Sequence, residues 1–216
     1  MDAVLSNLDL IVAAFRTTLS LTALAAVGAL VLGTLIAAMR VSPVPPLRWA
    51  GTLYVTLVRN TPLTVVFFLA AFGLPQLDVK ASFFTFAIIA LTVYTAAFVA
   101  EAVRSGINSV AAGQAEASRS VGMTFSQTLT LVVLPQAFHN VIPPLASVFI
   151  ALLKNTSIAF AFGVFEGTQA MAQLINANGA DVIAIVAAAA LTYLVLALLL
   201  SAAFGALERA VQPVTR

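Results

Sequence analysis

Five long apolar stretches, each nearly free of charged residues, dominate this chain of 216 residues. About 20 apolar residues in a helix are enough to cross the hydrocarbon core of a bilayer. Hydrophobic residues make up 62% of the chain and charged residues 8%, against about 45–50% and about 25% in a soluble domain. A soluble enzyme is excluded, and so is disorder, which requires low hydrophobicity and high charge. The pattern predicts an all-α polytopic membrane protein.

The stretches predict five transmembrane helices in a single domain covering residues 1–216. A proline cluster of Pro43, Pro45 and Pro46 ends the first stretch, because proline stops a helix. Arg59-Asn60-Thr61-Pro62 interrupts the second. We expect membrane insertion to begin near Thr61, with the preceding residues at the interface. The predicted spans are about 17–39, 53–74, 83–103, 141–165 and 182–207.

Basic residues fall mostly on one side of these spans. If the N-terminus lies outside, six arginines face inward and Lys80 faces outward. Cytoplasmic loops carry the excess of Lys and Arg. We therefore expect a multi-pass protein of the inner or plasma membrane, with its N-terminus outside and its C-terminus in the cytoplasm. The inward arginines are Arg40, Arg48, Arg104, Arg119, Arg209 and Arg216.

The cytoplasmic loop at about 105–138 is the longest predicted segment outside the spans. Ala and Glu before Gly122 favour a short helix, and glycine is suited to end it. A second short amphipathic helix should follow, with a turn at Pro135 into the fourth span. Such a two-helix element can be a docking site for a partner protein or an ordinary interfacial helix, and the residues alone favour neither.

The spacing within this loop resembles the EAA loop of ABC importer permeases. That pattern is Glu-Ala-Ala, three residues, Gly, nine residues, Ile, any residue, Leu-Pro. Here Glu116-Ala117-Ser118 takes the triplet, Gly122 follows after three residues, and Val132 after nine more, before Leu134-Pro135. Ser118 and Val132 depart mildly from the pattern.

Other segments resemble the polar amino-acid uptake permeases, and the resemblance covers nearly the whole chain. They are Arg59-Asn60-Thr61-Pro62-Leu63, Phe98-Val99-Ala100-Glu101, Leu134-Pro135-Gln136-Ala137 and Lys154-Asn155-Thr156-Ser157. Within that group the chain is most similar to glutamate importer permeases. The resemblance implies the MetI-like permease fold of type I ABC importers and transport of a polar amino acid, glutamate or a relative.

The resemblance also implies the partners. A second permease, identical or homologous, would complete the pathway, two ATPase subunits would bind ATP and Mg²⁺, and an extracellular solute-binding protein would deliver substrate. This chain has no Gly-x-x-x-x-Gly-Lys-Ser/Thr phosphate loop, so no cofactor is expected in it. The residues implied to couple it to the ATPase are Gln114, Ala115, Glu116, Ala117, Ser118, Arg119, Ser120 and Gly122.

Polar and charged residues within or near the spans are the candidate substrate pathway, because charge at bilayer depth is costly. For Lys154 the alternative is pairing that fixes a break in the helix, and for Thr92, Thr95 and Phe98 it is helix packing. For Glu166 it is a solvated loop acid. The full candidate set is Asn60, Thr61, Thr92, Thr95, Phe98, Lys154, Asn155, Thr156, Ser157 and Glu166.

Three further charges are expected at span ends. Glu101 and Arg104 lie three residues apart on one helix face, where they form an ion pair or contact the second permease. Arg59 anchors an interface or pairs with a carboxylate.

The residues also argue against two other functional classes. An ion-coupled secondary carrier usually shows internal repeats and mid-span acids, and neither is evident here. An intramembrane enzyme or a metal site needs a nucleophile–base set or several ligands, whereas the chain has one histidine and no cysteine. The net charge of +2 is too small to indicate nucleic acid binding.

Overall fold

The computed structural model describes residues 2–211, and all regular structure among them is helical. The α-helices are α1 (Asp2–Leu5), α2 (Leu8–Val41), α3 (Pro45–Arg59), α4 (Leu63–Phe68), α5 (Phe83–Asn108), α6 (Ala112–Ser120), α7 (Phe125–Gln127), α8 (Leu134–Asn155), α9 (Gly167–Ala177) and α10 (Val182–Val211).

Four helical segments of the described chain are long and apolar enough to cross a membrane. A fifth is obtained when α3 and the segment that continues from α4 are counted as one bent span. The four are Leu8–Val41, Phe83–Asn108, Phe125–Phe162 and Gly179–Val211.

The range predicted as the second span, 53–74, is not one straight helix. Its two halves, Pro45–Arg59 and Leu63–Leu77, meet at an angle of 104°. The bend lies at the predicted interruption, because Pro62 lacks an N–H and disfavours helical geometry in the residue before it. Two side chains donate hydrogen bonds to carbonyl oxygens at the end of α3. Asn60 Nδ2 donates to Thr56 O (2.7 Å), and Thr61 Oγ1 donates to Leu57 O (2.8 Å).

The predicted turn at Pro135 is wrong. The helix is continuous over Phe125–Phe162, and a π-helical stretch, Thr128–Val133, lies just before the proline. A π-helix bonds each N–H five residues back, which shifts the carbonyls relative to the proline ring. Gln136 Nε2 also donates to Val132 O (2.8 Å). The fourth long helix therefore begins well before the expected 141, and the predicted loop is correspondingly shorter.

Small residues allow α2 and α5 to approach closely. A Cβ atom on Gly33 would lie 2.6 Å from Val99 Cβ, and one on Gly28 would lie 2.8 Å from Thr92 Cγ2. Close backbone approach through glycine is typical of membrane helix pairs. This packing, together with α4 and α8, builds a core that contains Leu21, Phe67, Leu91 and Leu152.

Candidate functional site

The short helix α6 ends at a glycine in the left-handed conformation. Gly122 has φ of +90°, which glycine adopts without the steric cost that a Cβ brings. The reversal is closed by backbone hydrogen bonds from Gly122 N to Arg119 O (3.0 Å) and from Met123 N to Ser118 O (3.1 Å). This is the reversal expected after the EAA-like triplet.

Most residues of the predicted coupling set lie on the surface of α6. Ser118 differs, because it is buried, with its Oγ 3.0 Å from Thr128 Oγ1 and 2.9 Å from Ala115 O. Ser118 thus fixes α6 to the helix Phe125–Phe162. We call the exposed residues the docking face: Gln114, Glu116, Ala117, Arg119 and Ser120.

A cavity of about 310 Å³ lies between α5 and α8, and we call it the neutral cavity. Of the predicted pathway residues, Thr95, Phe98 and Asn155 line it. The prediction missed Tyr94 and Ser147, which also line it. Ser147 could have been found, because it lies eight residues before Asn155 and thus on the same helix face.

Other predicted pathway residues do not line the neutral cavity. Thr92 contacts α2 at Gly28, so the packing alternative describes it. Thr156 is buried and donates to Leu153 O (2.7 Å), and Ser157 donates to Lys154 O (2.7 Å). These bonds lie where α8 gives way to a 3₁₀ helix at Thr156.

Lys154 also lies outside the lining of the neutral cavity. It is exposed, and its ammonium group makes no hydrogen bond or ion pair within residues 2–211. The structure therefore does not show the pairing that was the alternative for this residue.

A second cavity, of about 350 Å³, lies beside the ends of α2, α3 and α5, and we call it the cationic cavity. Its lining includes Arg40, Arg59, Asn60, Phe98 and Glu101. Phe98 is therefore shared with the neutral cavity, and Asn60 belongs to the cationic one. The guanidinium carbon of Arg59 lies 5.4 Å from the centroid of the Phe98 ring.

One carboxylate at this cavity contacts three guanidinium groups. Arg40 Nη1 lies 2.5 Å from Glu101 Oε2, and Arg104 Nη2 lies 2.5 Å from Glu101 Oε1. Arg59 Nη1 lies 3.5 Å from Glu101 Oε2. The expected pair of Glu101 and Arg104 is present, and Arg59 pairs with a carboxylate. Arg40 shares this carboxylate as well, a contact that the residue pattern did not predict.

Glu166 lines neither cavity and is not a solvated acid, so that alternative is wrong. It is fully buried and precedes α9 as its N-terminal cap, accepting from Thr168 N (2.9 Å) and Gln169 N (3.1 Å). Tyr193 Oη donates to its other oxygen at 2.8 Å. Burial raises the pKa of Glu166 above the ordinary value of 4.5, although these hydrogen bonds oppose the rise.

Comparison with known proteins agrees with this architecture. The family described as binding-protein-dependent transport system inner membrane component matches residues 29–213. The probable glutamine ABC transporter permease protein GlnM of Bacillus subtilis (strain 168) is 42% identical over 205 residues, which is 94% of each chain. The glutamate transport system permease protein GluC of Corynebacterium efficiens is 40% identical over 206 residues, which is 90% of each chain.

A solved structure is similar over nearly the full length. A chain described as "Crystal structure of an amino acid ABC transporter with histidines" is 32% identical, with a TM-score of 0.88. The match covers 95% of this chain and 96% of that one.

Proposed function

The chain belongs to the family of inner-membrane components of binding-protein-dependent transport systems, and on that premise we propose that it is the permease subunit of an ABC importer for a polar amino acid, glutamate or a close relative. Family membership confirms the predicted class, a transport component and not an enzyme. The importer permease fold is likewise confirmed. The relatives named for glutamine and glutamate support the substrate class.

One observation carries the mechanism: a single helix joins the docking face to the neutral cavity. In Phe125–Phe162, Thr128 holds α6 near one end, and Asn155 lines the cavity near the other. At 1.5 Å per residue these positions are about 40 Å apart. Movement of α6 by a partner would therefore be transmitted to the cavity as rigid-body motion.

The proposed assembly contains a second permease, identical or homologous, two ATPase subunits and an extracellular solute-binding protein. ATP and Mg²⁺ would be held by the ATPases, since this chain lacks the phosphate loop. A second permease is needed because five spans are too few to enclose a pathway. Asn155, Thr95 and Phe98 would line this chain's share of that pathway.

We propose that the N-terminus lies outside and the C-terminus in the cytoplasm. This orientation puts α6 and the basic ends of α2 and α5 on the cytoplasmic side, in keeping with the excess of Lys and Arg there. Of the six inward arginines, Arg216 lies outside the described residues.

The test is assembly and ATP-driven uptake. Glu116→Lys and Gly122→Asp should abolish co-purification with the ATPase and uptake of labelled amino acids into vesicles, while membrane insertion survives. Asp9→Lys makes the same charge change as Glu116→Lys at an exposed site of α2 and should leave both intact. Normal assembly and uptake in both docking variants would disprove the role of α6.

No comparison favours the ion-coupled carrier. Uptake that followed a proton or sodium gradient and ignored ATP would nevertheless replace the importer proposal with that mechanism.

A further inference from the structure

The cationic cavity holds more positive charge than its own carboxylate neutralises. Arg40 and Arg59 line the cavity and Arg104 does not, but all three contact Glu101, so the cluster as a whole carries an excess of two positive charges. The side chain of Arg40 is only 11% exposed. Unbalanced charge in a partly buried site is costly, and an anion bound in the cavity would reduce that cost.

Arg59 is the guanidinium group with free donors toward the cavity. Each oxygen of Glu101 already accepts a hydrogen bond, one from Arg40 and one from Arg104. Arg59 lies at 3.5 Å from the same carboxylate, has no hydrogen bond to it, and is 43% exposed. The Nε of Arg40 is buried and has no hydrogen-bond partner among the described residues either. Fork-shaped guanidinium donors match a carboxylate well.

Phe98 lies where this cavity and the neutral one meet. It lines both, and among residues 2–211 the side chains that line the neutral cavity are all uncharged. In the proposed orientation, the helix ends that carry Arg40 and Glu101 face the cytoplasm. The cationic cavity therefore lies beyond Phe98 on the exit side of the pathway.

We propose that the cationic cavity binds the carboxylate of the transported amino acid after it passes Phe98, with Arg59 as the direct ligand. Glu101, Arg40 and Arg104 position Arg59 and supply the rest of the electrostatic field at the site. Two excess charges match an amino acid with two carboxylates better than its amide analogue, so the site favours acidic substrates. This inference rests on the proposed function and adds a residue-level site to it.

The test uses the assembled importer in vesicles, with uptake of glutamate and glutamine measured in parallel with ATP hydrolysis. Arg59→Gln removes the charge, Arg59→Lys keeps it, and Arg48→Gln removes an exposed charge from the same helix outside the cavity. We expect Arg59→Gln to lower glutamate uptake about tenfold and glutamine uptake much less. Arg59→Lys should restore most of the loss, and Arg48→Gln should resemble the wild type.

The outcomes separate the two proposals. Absence of ATP-driven amino-acid uptake by the wild type would refute the importer function itself. With uptake present, an equal fall for both amino acids would overturn the carboxylate site, because a merely structural role of Arg59 predicts it. No fall for either amino acid would also overturn it, because Arg59 would then not bind the substrate. Lipid phosphate is the other anion that Arg59 could bind. An effect of Arg59→Gln seen only in vesicles with anionic lipid would therefore overturn the substrate assignment.

Discussion

Glu166 shows how a single buried acid joins two helices. Its carboxylate accepts from the first turn of α9 and from Tyr193 on α10. An acid buried in this way is tolerated because each oxygen is hydrogen-bonded. The neighbouring Gly167 N donates to Thr18 Oγ1 at 3.1 Å, which ties the same turn to α2.

The raised pKa of Glu166 makes stability depend on pH. Burial favours the neutral acid in the folded protein. The contribution of Glu166 to stability is therefore fully present below pH 4.5 and is lost as the pH rises through the raised pKa. Glu166→Gln keeps a neutral group of the same shape. We expect the wild type and the variant to have similar free energies of unfolding near about pH 4. Toward about pH 7, the free energy of unfolding of the wild type should become lower than that of the variant.

Thermal unfolding of the purified complex at several pH values measures this difference. Comparison with Glu166→Gln cancels the titration of the other carboxylates. Parallel pH profiles for the two proteins would show that Glu166 keeps its ordinary pKa in the folded state.

A helical stripe in the sequence was enough to find residues that line one cavity, and their role in a substrate pathway stays a prediction. Thr95, Phe98 and Asn155 are polar or aromatic positions on long apolar helices, and they do meet at one cavity. Arg40 and Glu101 are 61 residues apart, so only the packing of α2 on α5 reveals their contact. Glu166 stands in a polar stretch, and the sequence contains no sign that Tyr193 covers it.

The pair formed by α2 and α5 depends on its small residues. A Cβ on Gly33 would approach Val99 Cβ to 2.6 Å and the carbonyl oxygen of Ala96 to 2.8 Å. Neither neighbour can move away by a simple rotamer change, because one is a Cβ atom and the other is backbone. The helices themselves would have to separate.

Gly33→Ala should therefore lower the free energy of unfolding by about 1–3 kcal/mol. Gly205→Ala is the matched control, since an added Cβ on Gly205 meets nothing within 4 Å. Alanine favours the helix by about 1 kcal/mol over glycine, so the control should unfold at the same temperature or slightly higher. If the two variants unfolded at the same temperature, the close approach of α2 and α5 at Gly33 would not limit the stability of the protein.

At the scale of elements, the break in the second span was predictable and the continuity of the fourth was not. Proline after a polar triplet signals a break, and α3 and α4 bend there. Pro135 follows apolar residues and was expected to turn the chain by itself, yet the preceding turns become π-helical and the helix continues. This outcome depends on local hydrogen bonds such as that from Gln136 to Val132 O, which residue preferences do not encode.

Two surfaces of the described chain are not covered by the rest of the fold. Within the described chain, Ile185 is the only residue of α10 that is fully buried, and that helix is the most apolar of the candidate spans. The rest of its surface is suited to lipid or to another apolar chain. The docking face of α6 is likewise exposed.

Coupling across this assembly should depend on the contact between Ser118 and Thr128, because it is the side-chain hydrogen bond that joins α6 to the helix Phe125–Phe162. Thr128→Ala should loosen α6 without altering the docking face. ATP hydrolysis should continue, while uptake of amino acid per ATP falls about three- to tenfold, the effect of losing one buried hydrogen bond. Thr130→Ala is the control, since the hydroxyl of Thr130 donates to Ser126 O within its own helix.

The double variant Ser118→Ala, Thr128→Ala tests whether the loss of coupling comes from the contact between these two hydroxyls. If the two hydroxyls act as one contact, the double variant should lose no more coupling than either single variant. Independent, additive losses would mean that each hydroxyl acts through other neighbours. A parallel fall of ATP hydrolysis and uptake would indicate failed assembly and would refute the proposal that this contact transmits the movement of α6 to the cavity.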